Sequence, residues 1–170
     1  MKTKLLILAI ATFITANTIF AQSVEKEITS IRNKVTAINK AAKGYTKKTK
    51  DVDDISLEGA EATFFSSRLS LKKVTAKMYG ETYQATGEFY FENSKLIFAF
   101  IKHSQYDTQI GLEKPVKVVK IEERRFYFNN DGLIRLLVGK KELKSEDERY
   151  EELSQSAVSI GEKLIEAFRN

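Results

Sequence analysis

The chain has no cysteine and no tryptophan, a single histidine, a single proline and only eight glycines among its 170 residues. Without cysteine there is no disulfide, no thiolate nucleophile, no iron–sulfur ligation and no cysteine zinc site. His103 alone cannot offer two imidazoles to a metal. No metal or cofactor is therefore expected. The scarcity of glycine and proline excludes collagen-like and linker-like chains, and eleven Phe and seven Tyr exclude low-complexity disorder. No phosphate-binding loop, dinucleotide fingerprint, nucleophile elbow or HExxH pattern is present. These absences leave one globular domain stabilised by packing alone, which a chain of this size can achieve.

The first 21 residues, MKTKLLILAIATFITANTIFA, place Lys2 and Lys4 before an apolar stretch from Leu5 to Ile14, with small and polar residues leading to Ala21. This is the grammar of a secretory signal peptide: a basic end held in the cytoplasm, a short apolar helix for the translocon, and a small residue at the cleavage point. A retained anchor is the alternative. Thr12, Thr15, Asn17 and Thr18 dilute the second half of the run, so no stable membrane anchor is expected. The expected domains are thus a signal peptide over 1–21 and one domain over 22–170, in the periplasm or secreted.

Removal of Lys2 and Lys4 lowers the formal net charge from +5 to +3. The excess is uneven: residues 22–50 are basic, 51–140 balanced and 141–170 acidic. Lys47, Lys48 and Lys50 could meet an anionic surface, but Asp51, Asp53 and Asp54 follow at once, and a solvated charged turn is expected there. Nucleic acid is not an expected partner, because no basic stripe with interleaved aromatics occurs.

Val24, Ile28, Ile31, Val35, Ile38 and Ala42 recur at spacings of three and four, which predicts an amphipathic helix from Ser23 to about Ala42, stopped by Gly44. The same spacing fits a heptad, so a homodimer through this helix is a second possibility. At the other end Tyr150, Leu153, Ala157, Ile160, Leu164 and Phe168 predict a second helix, with Ser145 and Glu148 as a capping box and Gly161 marking a close approach.

Between the helices the sequence is β-rich and repeats itself. FYFENSKLI, Phe89 to Ile97, and FYFNNDGLI, Phe126 to Ile134, share Phe, Tyr, Phe, Asn, Leu and Ile at matching positions. Each reads as an aromatic strand, a polar turn and a second strand, which is a β-hairpin. A fainter copy over Ala62 to Val74 aligns Phe64 and Leu69 with Phe91 and Leu96. Three hairpins give an antiparallel meander of about six strands. Val74, Ala76 and Met78 alternate with Thr75, Lys77 and Tyr79, as in a strand wet on one side. LIFAFI, Leu96 to Ile101, is apolar on both sides, so its second face is either covered or a binding surface. The fold class expected is α+β, with the N-terminal and C-terminal amphipathic helices across one face of the sheet.

These hairpins, with Glu58 to Ala62 before Thr63-Phe64-Phe65 and the leader ending Phe20-Ala21-Gln22-Ser23, resemble uncharacterised exported proteins of Bacteroidota-type bacteria carrying YYF-x-N-G-K-L hairpins. The hairpins are also loosely similar to MORN repeats. The resemblance implies an exported hairpin-repeat fold, but no known activity, and it assigns no functional residue.

Candidate chemistry is sparse. Asp51 to Asp54 opens like a calcium loop, but Ile55, Ser56 and Ala62 occupy positions that require ligands or glycine, which excludes an EF-hand. Glu58 and Glu61 flank a glycine turn and His103 follows an apolar strand, so a small hydrolase of an envelope polymer would use those carboxylates with His103 as helper. That function requires the three to converge. The favoured expectation is a non-catalytic binding or interaction module for a protein, peptide or small ligand in the cell envelope. Its candidate binding residues are Tyr90 and Tyr127, with His103, Glu58 and Glu61.

Overall fold

A computed structural model describes the backbone of residues 2–112 and 115–170, and the side chains of 22–112 and 115–170. The leader expected over 1–21 lies outside the residues whose side chains are described. Helix α1, Lys2–Ala41, leads through a 3-10 turn at Ala42–Gly44 into eight strands among the described residues. These are β1 (Thr46–Val52), β2 (Ala60–Ser67), β3 (Ser70–Gly80), β4 (Tyr83–Glu92), β5 (Lys95–Tyr106), β6 (Val118–Asn129), β7 (Gly132–Val138) and β8 (Lys141–Leu143). Helix α2, Tyr150–Arg169, closes the chain. All neighbouring strands pair antiparallel in sequence order, so the domain is an α+β meander.

The strand count is eight rather than about six. The additions are β1, where a solvated turn is expected, and the short β8. TKKTKDV lacks an apolar alternation because β1 is an edge strand with only Val52 buried; its pairing with β2 is a backbone ladder that side-chain periodicity does not report.

The expected layering also differs. Cross-strand partners point to the same face, so one row runs Phe64, Val74, Phe89, Ala99, Phe126, Leu136 and Leu143 across seven strands. Leu153, Ala157, Ile160 and Leu164 of α2 seal this face. The opposite face carries Tyr90, Phe98 and Tyr127 in adjacent strands, and there Ile28 and Ile31 of α1 pack with Val24, Val35, Ile134 and Leu137. The helices therefore cover opposite faces. The cause is visible in FYF and LIFAFI, whose consecutive apolar residues load both sides of the central strands, and each side needs its own cover.

Of the α1 stripe, Val24, Ile28, Ile31 and Val35 pack on the sheet. Among the described residues no helix is long and apolar enough to cross a membrane.

Three hairpins have both central turn residues in the left-handed region: Arg68-Leu69, Asn93-Ser94 and Asn130-Asp131. Each also has a register shift nearby, at Phe65/Ser66, Tyr90/Phe91 and Tyr127/Phe128. Ser66 pairs with Leu71 as Phe91 pairs with Leu96, so the faint copy matches two residues away from the expected register and Leu69 sits in the turn. The capping box is not formed. Arg149 is the N-cap of α2 without a side-chain bond, and Asp147 organises the approach by accepting from the Arg149 and Tyr150 N–H groups.

Candidate functional site

α1 does not cover its whole face. Beyond it, across β2 to β5, lies an open cleft of about 380 Å³. Its wall is built by sheet register: Thr63, Thr75, Glu88 and Phe100 form one cross-strand row, and Glu61, Lys77 and Thr86 the next. The backbone of Ala76 and Gly87 forms its floor, since a side chain at Gly87 would point the other way, into Phe89 and Met78. Lys77 stands 3.8 Å from Glu61. Glu88 accepts from Lys73 at 3.1 Å and from the Tyr90 hydroxyl. Burial would raise the Glu88 pKa, but the bonds from Tyr90 and Lys73 outweigh it and hold the group ionised below the ordinary range. Three hydroxyls, a lysine, two carboxylates and one aromatic ring thus meet on one surface. They offer hydrogen bonds in both directions and an apolar contact, but no nucleophile paired with a base.

The candidate residues read from sequence are scattered. Tyr90 and Tyr127 are 1% and 4% exposed beneath α1, so most of each side chain is core. Tyr90 shares its hydroxyl with Asn39 of α1 at 3.0 Å, and burial followed by the Glu88 bond pushes its pKa up. Glu58 is exposed in the β1–β2 connection, its N–H donating to the Tyr79 carbonyl. Glu61 lines the cleft. His103 lies on the other face, in the row Met78, Ala85, His103 and Glu122. Glu61 and His103 point away from each other across the sheet, so the convergence that a hydrolase would require is absent.

His103 belongs to a second polar group. It stacks on Tyr83 with ring centroids 4.8 Å apart, and Glu122 follows in the same row. Glu122 is 8% exposed and collects three cations: Arg149 at 2.6 Å, Arg124 at 2.7 Å and Lys120 at 3.0 Å. Burial would raise its pKa, yet hydrogen bonds from Arg149, Lys120 and Arg124 bring it down to about 2. Burial, then the charge of Arg124, pushes the His103 pKa below its ordinary value.

Sequence reasoning missed Glu122 because its partners come from β6 and from the start of α2, which only folding brings together. The cleft left a trace in the Thr75-Lys77 alternation and in the two-sided LIFAFI run. Phe98 of that run goes under α1, while Phe100 lines the cleft.

No protein-family model, curated protein or solved structure matches the chain.

Proposed function

We propose that this protein is an exported, non-catalytic binding module, released after Ala21 into the periplasm or the medium. Its cleft over β2 to β5 takes a small, neutral, polyhydroxylated ligand. The observation that carries this reading is the uncovered patch of Thr63, Thr75 and Thr86 hydroxyls beside Phe100, on the face that α1 leaves open. Hydroxyl rows with flanking carboxylates exchange hydrogen bonds with sugar-like hydroxyls, and an aromatic side chain receives an apolar sugar face. The placement of Glu61 and His103 on opposite faces supports a role without catalysis. The three hairpins with like turns support their origin as copies of one unit, and with it the resemblance to exported hairpin proteins.

The test is amide NMR of the purified protein with a panel of neutral mono- and disaccharides. Shifts confined to Thr75, Thr86 and Glu88, abolished by the cleft-filling Thr86→Trp, are expected. Shifts nowhere in the cleft across the panel would overturn the ligand class and the site. Export is checked separately by N-terminal sequencing of the protein from its native envelope, where Gln22 is the expected first residue.

A further inference from the structure

Folding separates the lysines of β1 from the acids that follow them in sequence. β1 is extended from Thr46, paired with Ser66, to Val52, paired with Ala60, so it carries Asp51, Asp53 and Asp54 toward the far end of the sheet, where Asp54 meets Lys163 at 3.6 Å. At the near end the β2–β3 hairpin closes through Ser67↔Ser70. That corner collects Lys43 from the 3-10 turn, Lys47, which pairs with Phe65 just before the hairpin turn, and Arg68 and Lys72 from the hairpin itself. Lys73 is neutralised by Glu88 at 3.1 Å. Among the described residues Lys43, Lys47, Arg68 and Lys72 enter no ion pair. The other hairpin turns at this end bring Lys95 and Asp131, which pair with each other, and Glu92, held by Lys34 at 2.6 Å. The corner is left with a positive excess.

A leucine stands at its tip. The turns Asn93-Ser94 and Asn130-Asp131 use asparagine, which suits the left-handed region, whereas the β2–β3 turn holds Arg68 at φ 48 and Leu69 at φ 67. Leu69 is also 94% exposed. Its backbone angle and its exposure both cost stability, and an outlier of this kind points to a contact outside the folded chain. We propose that this corner docks the protein on an anionic lipid surface, with Leu69 entering the headgroup layer and Lys43, Lys47, Arg68 and Lys72 meeting lipid phosphates around it. Basic side chains are drawn to the negative potential of such a surface, and an aliphatic side chain among them gains by leaving water. The contact is peripheral and reversible, because one leucine buries too little to anchor a domain.

A soluble acidic glycan fits less well, because it would meet the cations but leave Leu69 in water. A second copy of the chain fits less well again, since a two-fold contact at this corner would set its cations against one another.

The test uses the purified protein with vesicles of phosphatidylcholine, vesicles in which part of that lipid is replaced by phosphatidylglycerol, and soluble alginate as a polyanion without a lipid phase. Because the chain has no cysteine, Ser70→Cys takes a single environment-sensitive dye beside Leu69. Expected are co-flotation with the anionic vesicles alone, a blue shift of the dye, and release by salt. Lys47→Gln and Arg68→Gln should each weaken binding roughly fivefold. Lys117→Gln, an exposed lysine in the β5–β6 connection at the opposite end, should leave it unchanged. Leu69→Asn, which installs the residue type of the other turns, should weaken binding roughly tenfold without lowering the urea midpoint, so lost binding is not lost folding. No co-flotation, equal co-flotation with neutral vesicles, binding unchanged in Leu69→Asn, self-association through this corner, or alginate held more tightly than the anionic vesicles would each overturn the proposal. Thr86→Trp should leave vesicle binding intact, so failure here and failure of the cleft are distinguishable.

Discussion

Glu122 shows how much a single side chain can report about pH. Unfolded, it takes a proton near its ordinary 4.5; folded, only near 2. Between those values the unfolded chain binds more protons, so the stability Glu122 contributes is fully present above about pH 4.5 and is lost as pH falls toward 2. His103 acts in the same direction from a higher start, because its folded pKa lies below its ordinary 6.5. Urea titrations should therefore show stability declining from about pH 6.5 downward, with a second decline below about pH 4.5. His103→Gln should remove the first, and Glu122→Gln should shrink the second, whose remainder belongs to Glu88. At neutral pH Glu122→Gln should cost about 2 kcal/mol, since Arg149 and Lys120 can turn to water but Arg124 is largely covered. Leu69 is the opposite case, a leucine 94% exposed at φ 67 in a tight turn. Leu69→Gly should stabilise by about 1 kcal/mol, read as a higher urea midpoint. Neither residue is conspicuous in the sequence, because a lone glutamate in a charged stretch and a leucine in an apolar pattern carry no mark of burial or backbone angle.

At the scale of elements, the two helices and three aromatic hairpins are legible because each repeats a spacing that physics ties to one geometry. α2 follows its stripe closely, with Leu153, Ala157, Ile160 and Leu164 all buried. Its start is less legible: Ser145 and Glu148 have the spacing of a capping box, but the chain turns through Asp147 and the helix begins at Tyr150. Gly161 marks a close approach, made by the Leu96 side chain and not by another backbone. A Cβ there would stand 2.8 Å from Leu96 Cδ2. That methyl is the mobile end of a side chain, so Gly161→Ala should be nearly neutral, its contact offset by about 1 kcal/mol of helix propensity. Gly161→Leu has no such room and should destabilise by about 2 kcal/mol in denaturant melts. β1 is the element least visible from sequence. Lys47 and Lys48 stand exposed on the edge, and the half-buried Lys50 reaches across to the Ala167 carbonyl in the last turn of α2.

At the scale of the molecule, the placement of one helix on each face implies unequal roles. α2 seals the row that crosses seven strands, whereas α1 covers a smaller cluster around Tyr127. Leu164→Asp should therefore abolish cooperative folding. Ile28→Asp should undock α1 while the sheet and α2 remain, visible as selective hydrogen-exchange loss in α1 and renewed titration of the Tyr90 hydroxyl near its ordinary pKa. A global transition in both variants would show that the two faces form one cooperative unit.

The sequence by itself determined the elements whose burial leaves a period: two amphipathic helices, a meander of aromatic hairpins, and a domain that stands without disulfides. Local spacing suffices there because each apolar stripe must find cover, whatever covers it. Only the tertiary structure decided which face each helix takes, that Tyr90 and Tyr127 are core, that Glu61 and His103 are parted by the sheet, and that Thr63, Thr75 and Thr86 share a cleft. Those facts depend on cross-strand register and on how far each strand outruns its neighbour. Both are set by turns, register shifts and backbone pairing between distant residues, to which side-chain periodicity is blind.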